Sequence, residues 1–198
     1  MLTWLANDLA ATDRDWIVAF WHHPPYTHGS HNSDNPTDSE GKMKDMRENA
    51  LPILELGGVD LVLSGHSHDY ERSMLIDGHY GSSGTLLTAM KVDSGDGRAE
   101  RRRRLQEAPS ERHSHEGAVY AVAGSSGGRN EGQGNLLDHP VMVTSSWAYG
   151  SMVIDVDGLR PRRALPHQQR RADRQLHHLE GHVARRAAAL RDPARWRR

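Results

Sequence analysis

Histidine is the residue type on which chemistry in this sequence turns. Two short runs stand out: His22-His23-Pro24-Pro25-Tyr26, with His28 and His31 just beyond it, and Gly65-His66-Ser67-His68. Neutral imidazole is the commonest side-chain ligand for zinc and a good one for iron and manganese. Cysteine is absent, so a thiolate site and a disulfide framework are both excluded, and any metal must use His, Asp, Glu, Asn or Tyr. His66 and His68, one residue apart, can address adjacent metals. Gly65 removes a side chain from the turn ahead of them, and Pro24-Pro25 stiffens the chain just past the other pair. Elsewhere, His113, His115, His177 and His178 sit among polar and charged neighbours that give no metal geometry, and they are read as solvated.

The elements that must position these rings are legible in the hydrophobic pattern. Leu2, Leu5, Leu9 and Ala10 recur at helical spacing, and residues 16–21 then read as a short buried strand. A polar loop over 22–41 follows, longer than an ordinary connection, which marks it as a functional candidate. Met43, Met46, Ala50 and Leu54 give the inner face of a second helix; Pro52 kinks it or opens a new turn, and Gly57-Gly58 ends it. Residues 59–64 (VDLVLS) are a continuous apolar run, the sign of a strand covered on both faces. Strand, helix and strand in this order predict a parallel βαβ unit whose two strands leave the same sheet edge. The first exits into His22-His23 and the second into Gly65-His66-Ser67-His68, so the imidazoles are predicted to converge where open α/β sheets place their ligands. Further strands are predicted over 70–76, 118–123 and 149–156, with turns at Asp77-Gly78 and Asp157-Gly158.

The rest of the chain bounds the function. A net charge of -1 over 198 residues excludes the large basic excess of most nucleic-acid or membrane-surface binders. Basic segments are local: Arg101 to Arg104, within a charged insertion over 91–116, and an Arg- and Ala-rich tail over 159–198 that is read as disordered or irregular. No apolar stretch is long enough to span a bilayer, and Met1 leads into helical pattern rather than into a signal peptide. The glycine- and serine-rich segment 124–134 lacks the lysine and the following helix of a nucleotide-binding loop, and is read as a turn near the rim of the site.

The stretches WIVAFWHHPPYTHGSH and VDLVLSGHSHDYER resemble the last two metal-binding motifs of the calcineurin-like metallophosphoesterases, nearest the purple-acid-phosphatase branch. The resemblance runs from about Leu2 to Asp157. It implies an α/β fold, part of an αββα sandwich of mixed sheets flanked by helices, with residues 1–158 supplying the C-terminal part of the catalytic domain. It implies two transition metals (Fe, Zn or Mn), with His22 and His66 binding one and His68 the other. His31 falls near the position where this branch places a histidine that binds phosphate or protonates the leaving oxygen; His23 and His28 could contact substrate without a motif to support either. The implied reaction is hydrolysis of a small phosphoester, monoester or diester, by a metal-bound hydroxide. The compartment is left open, a secreted or periplasmic one being compatible with the family, and so is the oligomeric state.

The family's other ligands come from Asp-x-His, Gly-Asp and Gly-Asn-His motifs that precede these two. None stands ahead of His22 here; Gly95-Asp96 comes after the histidine motifs, and Gly134-Asn135 is followed by Leu136. The chain is therefore expected to be truncated on the N-terminal side and a poor or inactive phosphatase alone. A non-catalytic metal-binding or interaction remnant, with its basic tail on acidic partners, is the alternative.

Overall fold

The computed structural model describes residues 1–12, 17–95, 117–128 and 138–154. Most of the charged insertion and the whole segment 159–198 lie outside these residues, as does the expected turn at Asp157-Gly158.

Helix α1 (Leu2–Ala11) turns Leu5 and Leu9 onto the core, as their spacing requires. The second helical segment has three parts: α2 (Lys42–Asp45), a wide π-turn (Met46–Ala50) and α3 (Leu51–Leu56). Pro52, in the first turn of α3, has no N–H to donate to the preceding turn, and the wide turn ahead of it absorbs that loss. Met43, Ala50, Leu51 and Leu54 are buried along it. Gly57 closes α3, Gly58 then takes φ 79°, and Leu9 of α1 lies so near Gly57 that a Cβ there would fall 2.6 Å from its Cδ1.

Five strands form the main sheet in the order β1-β2-β6-β3-β7: β1 (Val18–Phe20), β2 (Leu61–Ser64), β3 (Tyr70–Ser73), β6 (Val119–Ala123) and β7 (Met142–Ser146). β1, β2 and β6 run parallel, and β3 is antiparallel to both β6 and β7, so the sheet is mixed. Side chains alternate across it. Val62 and Tyr120, partners in register, face the helices with Tyr26, Leu51, Leu54 and Val59; Leu61 and Val119 face the other way, onto Leu75 and Val92 of a small second sheet, β4 (Leu75–Ile76) with β5 (Lys91–Asp93). The apolar run read as covered on both faces is so covered from Leu61 onward.

Three expectations need correction. The strand read as buried, β1, lies at the sheet edge with Val18 and Phe20 exposed. The strand predicted over 70–76 is broken in two, because a register shift at Arg72/Ser73 turns the chain from the large sheet into the small one. The strand predicted over 149–156 is absent from 149–154, the part that is described; the edge beside β3 is taken instead by β7, whose buried positions are Met142 and Thr144. Threonine at an inward position weakens the apolar alternation, which is why this strand escaped the pattern.

Candidate metal centre

The parallel pair β1–β2 brings the two histidine runs together. Its ladder continues past the strand ends: the Trp21 amide donates to Leu63 O (3.1 Å), and the Gly65 amide donates to His22 O (3.1 Å). The next residue, His66, takes a left-handed backbone (φ 65°), which swings its ring back over the strand ends. Nδ1 of His66 lies 3.1 Å from Nε2 of His22, and the His23 ring stands 4.5 Å from the His66 ring, centre to centre.

His31 reaches the same place from the long loop. Its ring stacks on His66 at 3.9 Å, while its Nδ1 meets Asp38 Oδ1 at 2.9 Å. Asp38 also accepts from the Asn32 amide (2.8 Å) and the Ser39 hydroxyl (2.8 Å), and that hydroxyl is 2.6 Å from His66 Nε2. Two groups of potential ligand atoms result, each within 4.8 Å of one another: His22, His23 and His66; and His31, Asp38 and His66.

The electrostatics favour the state a cation needs. Burial, then the neighbouring His31, His23 and His22, pull the His66 pKa down to about 4, and burial followed by His22 lowers that of His23. Both rings are thus neutral with a lone pair available near pH 7. Burial raises the Asp38 carboxyl, but the hydrogen bonds from Asn32, His31 and Ser39 outweigh it and keep the acid ionised.

Among the expected site residues, His22, His66 and His31 are gathered. His68 joins neither group: it is exposed, its amide donates to Ser30 Oγ (3.0 Å), and its ring lies against Gly128, where a Cβ would come within 3.0 Å of Nδ1. His28 also stands apart, 3.9 Å from Asp138. Asp38 was not anticipated. It lies seven residues past His31 in no recognisable motif, and only closure of the loop brings it to the pocket.

Beneath the rings lies a layer of buried polar groups. Thr27 donates to Glu71 and meets the Ser67 hydroxyl at 2.7 Å, and the His28 amide donates to Glu71 at 3.1 Å. Asp69 is wholly buried, and burial, then Glu71, push its carboxyl up to about 7. Gly29 makes room for it, since a Cβ there would overlap Asp69 Oδ2 at 1.5 Å.

Comparison with known proteins finds similarity over the segment that carries both histidine runs. The family model described as calcineurin-like phosphoesterase matches residues 2–70. Purple acid phosphatase 18 of Arabidopsis thaliana is 36% identical over 78 residues, 38% of this chain and 16% of that protein. Purple acid phosphatase 15 of the same plant is 38% identical over 73 residues, 35% of this chain and 12% of that one. Uncharacterized protein Rv2577 of Mycobacterium tuberculosis is 32% identical over 95 residues, 46% and 16% of the two chains. The purple acid phosphatase PPD1 from yellow lupin superposes with a TM-score of 0.46 at 14% identity, covering 75% of this chain and 22% of that one. The similarity to the calcineurin-like phosphoesterase model thus lies within residues 2–70, and purple acid phosphatases are among the proteins this chain resembles. The chain spans 16% or less of the length of the three curated relatives named.

Proposed function

We propose that this chain forms part of a metal-dependent phosphoester hydrolase of the acid-phosphatase kind, acting on a small phosphomonoester or phosphodiester. The observation that carries the reading is the 3.1 Å approach of His22 Nε2 to His66 Nδ1 at the ends of two parallel strands. Two imidazoles on rigid strand ends fit a transition metal; the exposed ring of His68 is the third ligand of the proposed set and would have to leave Gly128 to serve it.

When bound, two Fe, Zn or Mn ions would supply Lewis acidity to phosphoryl oxygens and acidify water. The chain's own residues do the rest. His22 and His66 hold position from the backbone ladder beneath them. With Nδ1 of His31 engaged by Asp38, Nε2 is the nitrogen left to meet a phosphoryl oxygen or to hand a proton to the leaving oxygen. Among these 198 residues no earlier carboxylate motif completes the pair, so turnover by this chain alone is expected to be weak.

The test is an aryl-phosphate assay with Mn, Zn or Fe, on the chain alone and with the upstream half of a related phosphatase domain supplied. Turnover that rises with the added half and is lost in His22→Ala supports the hydrolase. No turnover in either arm, with salt-sensitive binding to an acidic polymer instead, supports a non-catalytic interaction remnant acting through its arginine-rich residues.

A further inference from the structure

His22, His66 and His68 are the ligands that the resemblance implies, yet the side chains converge most fully on a different point. Asp38 Oδ1 receives His31 Nδ1 at 2.9 Å and Ser39 Oγ at 2.8 Å, and the same Ser39 oxygen is 2.6 Å from His66 Nε2. One imidazole and one carboxylate thus meet at a single hydroxyl, a second imidazole reaches the same carboxylate, and the three ligand atoms lie within 4.8 Å of one another. Ligand atoms sharing a zinc ion at about 2.0–2.1 Å stand roughly 3.3 Å apart, so this cluster needs only small adjustments to close on a cation.

Backbone strain points to the same spot. Among the described residues, the non-glycine positions with left-handed φ are Ser39 (54°), Glu40 (58°) and His66 (65°); Ser39 and His66 belong to this pocket, and Glu40 follows Ser39 in the loop. Such conformations are strained and concentrate where a site must be held open or aimed. Charge separates the candidates. His22, His23 and His66 would leave a divalent ion uncompensated, whereas the Asp38 carboxylate offsets half its charge.

We propose that His31, Asp38 and His66 bind one divalent first-row transition-metal ion, with the Ser39 hydroxyl marking its place, and that this ion ties the 31–41 loop to the end of β2. The site shares His66 and His31 with the hydrolase reading, in which His31 faces substrate instead of metal, but neither His22 nor His68, so Zn2+ affinity in Asp38→Asn against that in His22→Gln and His68→Gln tells the two apart.

The test uses the full chain freed of metal by chelation, with Zn2+ alone titrated calorimetrically and Co2+ alone followed by its visible absorption. Asp38→Asn and His31→Gln are expected to weaken Zn2+ at least tenfold and to change the Co2+ band, while His22→Gln and His68→Gln shift affinity less than threefold. Ser39→Ala keeps every ligand and is expected to bind at least as tightly, which separates loss of a ligand from damage to the loop; far-UV circular dichroism checks that each variant is folded. Unchanged Zn2+ affinity in Asp38→Asn and His31→Gln overturns the proposal, and if His22→Gln or His68→Gln then loses binding, the ligand set of the hydrolase reading stands in its place. Absence of Zn2+ binding by the unaltered chain overturns it as well.

Discussion

Two clusters of histidine lie within one loop of each other and behave oppositely. At the ends of β1 and β2, the rings of His22, His23, His31 and His66 face one another and reach solvent. Behind them, His79 and His139 are 0% and 2% exposed, packed on Tyr26 beside the 2%-exposed Arg47. Arg47 donates to Pro25 O (3.1 Å) and Ser33 O (2.8 Å), clasping the beginning and the end of the segment that carries His28 and His31. Tyr26 donates to His79 O, and His139 Nε2 lies 3.9 Å from Asp34. The inner cluster holds the loop shape, and the outer one is held by it.

If that division of labour is right, the largest effect belongs to Arg47→Ala. It leaves two buried carbonyls unpaired and removes a buried clasp across 25–33, with an expected loss of about 3 kcal/mol or more in urea unfolding and weaker Zn2+ binding as a consequence. Loss of under about 0.5 kcal/mol would show that the loop is held some other way. Next comes Gly29→Ala, whose Cβ collides with the buried Asp69 carboxyl. Overpacking of this kind costs about 1–3 kcal/mol, and an unshifted unfolding midpoint would mean that Asp69 has room to move.

The pH dependence sharpens the contrast. Burial, partly countered by Asp34, drives the His139 pKa down to about 4 from an ordinary 6.5, so the unfolded chain takes up a proton that the folded chain refuses. Stability from this group is present above pH 6.5 and falls as pH drops from 6.5 toward 4, by up to about 1.4 kcal/mol per pH unit. Glu55 acts with the opposite sign. Burial raises its carboxyl to about 7 despite hydrogen bonds from Tyr120, Gly78 and Tyr80, so its contribution is present below pH 4.5 and lost as pH rises through 7. His139→Gln is expected to flatten the acid side of the stability profile, and Glu55→Gln the side approaching neutrality; unaltered slopes in both would remove either group as the cause.

The smallest effects belong to the outer cluster. His22→Ala, at an exposed ring, is expected to change stability by less than about 0.5 kcal/mol. His66→Gly is expected to be neutral or to gain up to about 1 kcal/mol by relieving the left-handed backbone, while abolishing metal binding. A large loss of stability in either variant would erase the distinction between the clusters.

Periodicity sufficed for most of the scaffold. The helix on Leu2, Leu5 and Leu9, the break at Pro52, the stop at Gly57-Gly58 and the parallel approach of β1 and β2 all follow from spacing that packing does not override. Failures came where polar residues occupy inward positions. Thr144 hid β7, while Arg47, His79 and His139 are residue types whose burial depends on partners from distant segments. Asp38 was missed for a related reason, since a carboxylate in a long polar loop has no period to betray it.

What the residues alone determined is the arrival of His22 and His66 at one sheet edge, because two apolar strands joined by a helix pair in parallel and open onto the same side. Which rings then share a cation was decided only in three dimensions. The left-handed turn at His66, the closure of the loop onto Asp38 and the displacement of His68 toward Gly128 depend on contacts between segments that local preference does not encode.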